Sequence, residues 1–148
     1  MLSILKNFFI QWVLIAYSAG TTARKSDAVN MTGKQSVTFG IRLGTLTSTN
    51  VTTIKLQGSL TTTDGDFVDL AGASLTVADT GGDKLYLLSV INPNRKLHKY
   101  VRAVITPATA NAVIVGGFAI AGVHPRNLPV TADASVGSSV EVYQPASA

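Results

Sequence analysis

The sequence contains no cysteine, which excludes disulfide bonds and metal sites built on thiolates. Histidine is almost as scarce, since His98 and His124 are the only two. Neither stands in a recognisable catalytic motif, and no G-x-S-x-G nucleophile elbow occurs. With so little reactive chemistry, the chain is predicted to bind other molecules rather than to be an enzyme, and we expect no cofactor and no catalytic or metal site.

Charged residues are also few. Only 14% of the residues are charged, against roughly 25% in ordinary soluble domains, while 46% are hydrophobic. One domain of 148 residues has difficulty burying that much apolar surface, so the composition predicts self-association into a homo-oligomer. A net charge of +4 allows an acidic partner surface or nucleic acid but is too small to choose between them. Binding to nucleic acid is disfavoured because only Tyr100 lies among the basic residues for base stacking.

The stretch from residue 37 to residue 130 is rich in short runs of Val, Ile, Leu and Thr separated by turn residues. Val37, Phe39 and Ile41 alternate with small or polar residues, as expected of a strand with one buried face. Residues 52–59 repeat the pattern, with Ile54 and Leu56 inward. Segments 67–70 and 74–77 are predicted as two short strands. The pattern predicts about seven or eight strands and an antiparallel β sandwich that is jelly-roll-like.

This sandwich domain is predicted to span residues 37–130, after an apolar N-terminal arm at 1–20 and a connector at 21–36, with a C-terminal tail at 131–148. The arm has three interpretations. It is long enough for a secretory signal, with Ala16-Tyr17-Ser18 as a cleavage site, but too short for a membrane span of about 20 residues. We favour an extended arm that docks on a neighbouring subunit and whose removal leaves the sandwich folded. Its anchoring side chains are Leu2, Leu5, Phe9, Trp12 and Val13.

Two charged clusters stand out. Asp64, Asp66 and Asp69 have a spacing suited to Ca²⁺, but no terminal glutamate follows, so a hairpin turn with solvated carboxylates is the preferred interpretation. The second cluster lies between residues 95 and 102 and is either a solvated strand edge, a surface for an acidic partner, or a nucleic-acid patch. Within it, the predicted interface residues are Arg95, Lys99, Tyr100 and Arg102.

Three segments carry a resemblance. They are "LQGSLTTTDGDFVDLAG", "LYLLSVINPNRKLHKYVRAVITP" and "AVIVGGFAIAGVHPRNLPV". In this order they resemble the head decoration, or cement, proteins that tailed bacteriophages encode near their major capsid protein. Lys99 replaces the commoner arginine of the Arg-Tyr-Val-Arg pattern, and the apolar arm lies outside the resemblance. The resemblance implies a structural virion protein on the capsid exterior, often a trimer, that bridges neighbouring subunits of the major capsid protein, with no membrane partner.

A carbohydrate-binding β-sandwich module, on a virion fibre or a secreted protein, is the alternative. Such a module presents exposed aromatic rings to sugars. The chain has one tryptophan and four tyrosines, and the tryptophan falls in the apolar arm. The sequence therefore favours the decoration protein over the sugar-binding module.

Overall fold

The computed structural model describes residues 8–91, 96–122 and 135–143. Apart from two short 3-10 turns at Asp64–Asp66 and Asp79–Gly81, the regular structure of these residues is β-strand. The strands are β1 (Phe8–Leu14), β2 (Tyr17–Gly20), β3 (Arg24–Lys25), β4 (Val29–Asn30), β5 (Ser36–Leu46), β6 (Val51–Ser59), β7 (Val68–Ala78), β8 (Leu85–Ile91), β9 (Tyr100–Ala108), β10 (Ala112–Gly122) and β11 (Val136–Tyr143). This part of the chain contains no helix long and apolar enough to cross a membrane.

The strands form two sheets. Sheet A has the order β1-β10-β5-β8-β11, with β2 also pairing with β10, and sheet B has the order β3-β9-β6-β7, with β4 also pairing with β9. The antiparallel pairs are nested: β1 with β10, β3 and β4 with β9, β5 with β8, and β6 with β7. Nested pairs of this kind arise when one long antiparallel hairpin is wrapped into two facing sheets. The fold is therefore a jelly roll. The predicted all-β sandwich is confirmed.

The core lies between the two sheets and follows the alternation of the strands. On β5, the predicted inward residues Val37, Phe39, Ile41 and Leu43 are completely buried. Across the sandwich they face Ile54 and Leu56 of β6, which were also predicted to point inward. Residues of β9 in sheet B and of the neighbouring strand β10 in sheet A complete the same cluster. Phe39 is paired with Leu88 on one side and with the small Ala119 on the other. Large and small side chains thus alternate across the sheet, as close packing requires.

Two strands differ from the sequence-based prediction. The two short strands at 67–70 and 74–77 are one strand, β7, which stays paired with β6 through a register shift. Gly72 lies near this irregularity and has a φ of 78°, a conformation that glycine adopts without strain. The predicted tail contains β11, which pairs with β8 in parallel rather than antiparallel. Sheet A is therefore mixed rather than purely antiparallel.

The N-terminal residues belong to the sandwich. β1 runs along β10, and a bulge between Trp12 and Leu14 turns both Val13 and Leu14 into the core, where each is only 3% exposed. Val29 and Met31, from the predicted connector, are completely buried. The hydrophobic core therefore includes residues on both sides of the boundaries predicted at residues 20 and 36.

Candidate functional site

The outer face of sheet B is polar. Residues that point away from the core on β3, β6 and β7 are joined by ion pairs and hydrogen bonds. Lys55 Nζ lies 2.7 Å from a carboxylate oxygen of Asp69, and Gln57 Nε2 donates to the other oxygen of the same group at 2.7 Å. Such a face is well solvated and offers little apolar area to a partner.

Arg102 is the centre of this face. Its side chain is 8% exposed, and Nη1 forms an ion pair with Asp64. Its Nε and Nη2 donate to Gln57 Oε1 at 3.0 and 2.9 Å, and the guanidinium lies 3.9 Å from the centre of the Phe67 ring. Lys25 Nζ binds the second oxygen of Asp64 at 2.6 Å. Arg102 therefore fastens the turn at Asp64 onto sheet B, so its partner belongs to the same chain rather than to a neighbour.

The three aspartates of the predicted turn do not converge on a common point. Asp64 binds Lys25 and Arg102, Asp66 accepts a hydrogen bond from Thr61 Oγ1, and Asp69 binds Lys55 and Gln57. Within residues 8–91, 96–122 and 135–143, no three His, Cys, Asp or Glu side chains are grouped as metal ligands. The three aspartates are solvent-exposed, and each also accepts a hydrogen bond from a cation, an amide or a hydroxyl of the chain.

These contacts predict an acid-sensitive stability. Hydrogen bonds from Lys25 and then Arg102 hold the pKa of Asp64 below its ordinary value of 3.8, and Lys55 and Gln57 do the same for the pKa of Asp69. Because these folded-state pKa values are lowered, the stability that they contribute is present above about pH 4 and is lost as the pH falls further. We expect the melting temperature of Asp64→Asn to depend less on pH than that of the unchanged chain.

The measurement is a series of thermal melts between about pH 2 and 6. Asp83→Asn is the matched control, because Asp83 takes part in none of the ion pairs among the described residues. A pH dependence in Asp64→Asn equal to that in Asp83→Asn would contradict the assignment.

Part of the predicted basic cluster is described. Lys99 is exposed, with its Nζ 5.6 Å from the centre of the Tyr100 ring, and Tyr100 is half-buried. The His98 ring packs over Gly58, where a Cβ would lie 2.6 Å from it, and burial lowers the pKa of His98. Arg95 lies outside the described residues. Because Arg102 is paired with Asp64, the cluster is less positive than the sequence indicates.

The outer face of sheet A has the opposite character. Ile10 pairs with Ile120 and Trp12 with Phe118 across β1 and β10, and Phe118 is next to Gly40 and then Leu87 across β5 and β8. Ile10 is 47% exposed, Trp12 62% and Val115 41%. An apolar, solvent-exposed face of this kind is typical of a surface that another molecule covers.

Polar groups on this face are few. Thr38 and Ser89 lie side by side, with their hydroxyl oxygens 2.7 Å apart, so they satisfy each other. Arg42 is exposed and forms no ion pair with a described residue. A partner that pairs with Arg42 and with the Trp12 indole N–H can therefore cover the face without leaving a buried polar group unpaired.

A groove of about 320 Å³ lies in this face. Glycines shape it: a Cβ on Gly40 would lie 2.4 Å from the Phe118 ring, and one on Gly116 would lie 2.7 Å from the Trp12 indole. Gly116 has a φ of 149°, which other residues rarely adopt, and it adjoins Gly117, which pairs with Leu14 at the bulge of β1. We call this the sheet A groove. Its lining consists of Trp12, Gly40, Arg42, Leu85, Val115, Gly116, Gly117, Phe118 and Ser135.

The predicted arm residues have different locations. Trp12 lines the sheet A groove, and Phe9, 44% exposed, lies under Lys34, whose Nζ is 4.6 Å from the ring centre. Val13 is buried in the chain's own core and is not presented to a neighbour. Leu2 and Leu5 lie outside the described residues.

Sequence reasoning did not identify the rest of the groove. Val115, Phe118 and Leu85 lie in nearly continuous apolar runs, in which the sequence does not distinguish a buried face from an exposed one. The Gly116-Gly117 pair was the available signal, because glycines within an apolar strand are typical of a bulge or a close backbone contact. In the structure, the pairing of β10 with β5 has a register shift between Ile114 and Gly116, and the Trp12 indole lies close to Gly116.

No family model matches the chain, and the curated proteins contain no match. Similar solved structures include the SPBc2 prophage-derived protein YomS, at 13% identity and a TM-score of 0.40 over 77% of this chain and 93% of that one. They also include infectious bursal disease virus Gt strain, at 14% identity and a TM-score of 0.43 over 82% of this chain and 34% of that one. Both scores are low, so the jelly-roll assignment depends on the strand order of this chain alone.

Proposed function

We propose that the chain is a structural virion protein that decorates a phage capsid by bridging neighbouring subunits of the major capsid protein. The observation that carries this proposal is the apolar outer face of sheet A, with its groove beside Trp12. A binding protein needs a surface of this kind, whereas an enzyme needs converging reactive groups. The resemblance of the three sequence segments supplies the kind of partner.

The contrast between the two sheets supports an orientation. The outer face of sheet B carries the ion pairs Lys25–Asp64, Lys55–Asp69 and Arg102–Asp64, so it suits contact with water. The outer face of sheet A carries exposed aliphatic and aromatic side chains, so it suits burial. In the proposed attachment, sheet A faces the capsid and sheet B faces the solvent.

The carbohydrate-binding alternative has one observation in its favour. Trp12 exposes 62% of its surface at the end of a groove, and an exposed indole is a platform for a sugar ring. Sugars also need several hydrogen-bonding side chains, and only Arg42 and Ser135 of the groove lining have polar side chains besides the Trp12 indole. The apolar lining therefore favours a protein partner.

Replacing Val115 by glutamate should weaken attachment more than about tenfold. Taking a new carboxylate out of water costs several kcal/mol, which an ion pair such as one with Arg42 of the same groove repays only with excellent geometry. About 1.4 kcal/mol corresponds to a factor of ten. Val115 lines the groove and is 41% exposed, so the change is tolerated in the free protein. The measurement is co-sedimentation of the purified protein with particles of its virus from which it has been removed.

Val68→Glu is the matched control, because Val68 is 55% exposed on β7 of sheet B and should attach normally. Equal attachment of both variants would show that the sheet A groove is not the contact. Failure of the unchanged protein to attach would contradict the decoration function itself.

A further inference from the structure

The strands at the edges of the two sheets differ in how they are protected. An edge strand has a row of free backbone groups, and charged or very short strands keep such edges from pairing with other chains. Among the described edges, β2 and β4 have only four and two residues, and β3 has two residues that are both basic. β7 carries Asp69, and β11 carries Glu141. β1 has seven residues, FFIQWVL, and none is charged.

The free edge of β1 is limited to its first five residues. Among the described strands, β10 is the only one that pairs with β1. At the far end, the carbonyl oxygen of Val13 accepts a hydrogen bond from the amide of Asp27 at 2.8 Å, so this position is occupied within the chain. The available stretch therefore runs from Phe8 to Trp12, and its middle residue is Ile10.

We propose that β1 of two copies of this chain pair in antiparallel orientation about a two-fold axis at Ile10. Each Ile10 then lies opposite the partner's Ile10, and Phe8 lies opposite the partner's Trp12. The pairing joins the two copies of sheet A into one continuous sheet. It buries apolar side chains that are now exposed, including Ile10 at 47% and Trp12 at 62%.

A second copy fits this edge better than a different partner does. In a two-fold contact each residue meets a residue of the same segment, so a strand without charge meets another strand without charge. No unpaired charge is buried, and the free backbone N–H and C=O groups of the two β1 edges form hydrogen bonds with each other. The apolar composition of the chain also calls for self-association. A two-fold contact closes at two copies, so it gives a dimer instead of the trimer that the sequence resemblance implies.

The absence of cysteine makes a direct test simple. Opposite residues in an antiparallel pair have Cα atoms about 4.5 to 5.5 Å apart, within the range of a disulfide. Under mild oxidation, Ile10→Cys should therefore form a covalent dimer in high yield. Val68→Cys is the matched control, because Val68 is 55% exposed on the edge strand of sheet B and should stay largely unlinked.

A second measurement uses no cross-link. The full chain should sediment as a dimer, and Ile10→Lys, with circular dichroism to establish its fold, should sediment as a monomer because two lysines would meet at the axis. Equal cross-linking of Ile10→Cys and Val68→Cys, or a trimer that Ile10→Lys leaves intact, would overturn the proposal. Neither measurement involves particles, so this inference and the decoration function fail separately.

Discussion

A chain lacking residues 1–16 is expected to lose about 3–6 kcal/mol of its free energy of unfolding, because the deletion removes the buried Val13 and Leu14, each worth about 1.5–3 kcal/mol. The deletion also exposes the edge of β10, to which β1 is paired. The expected loss is a large part of the total stability of a small domain, about 5–15 kcal/mol. This result reverses the sequence-based expectation that the N-terminal arm can be removed without unfolding the sandwich.

The measurement is urea unfolding of the truncated chain and of a second truncation that lacks only residues 1–7. The difference between the two truncations then belongs to residues 8–16. If both unfold at the same urea concentration, β1 does not contribute to the core in the way that the structure indicates.

Replacing Phe39 by alanine should destabilise the protein by about 3–5 kcal/mol, the usual cost of removing a buried phenylalanine ring. Phe39 is completely buried in the middle of sheet A and has the small Ala119 beside it, so its neighbours are poorly placed to fill the space. Phe9→Ala is the matched control. Phe9 is 44% exposed, with the ammonium of Lys34 over its ring, so the same substitution there should cost about 1 kcal/mol.

Chemical denaturation of both alanine variants gives the comparison. Equal losses of stability would mean that the Phe39 ring is not packed between the two sheets as the structure indicates. A loss at Phe9 larger than that at Phe39 would mean that β1 is covered on both faces in solution.

The alternation of apolar and polar residues made it possible to predict which side of the central strands is buried, but gave no such prediction for β1. On β5, apolar and small or polar residues alternate with a period of two, so the buried side could be assigned from Phe39 and its neighbours. On β1, every residue except Gln11 is apolar, and the bulge places Val13 and Leu14 on the same side. Such a segment carries no periodic signal, so its pairing with β10 emerges only from the three-dimensional structure.

The candidate site was less predictable than the fold because its parts are distant in sequence. Arg102 could be assigned to the face opposite Val101 on β9, but its partner Asp64 belongs to a loop that folds back over sheet B. Likewise, the groove beside Trp12 exists because Gly40 and Gly116 leave room for two aromatic rings. A single sequence shows that glycines are present, but not which ring lies over each of them.

The most direct test of the proposed function is electron cryomicroscopy of purified virus particles with and without this protein. The proposal predicts jelly-roll density on the outside of the capsid, across the junction between neighbouring major capsid subunits. In that density, the outer face of sheet A contacts the shell and the ion pairs of Arg102 and Lys55 face the solvent. Particles that contain the protein elsewhere, or attach it through sheet B, would contradict the account.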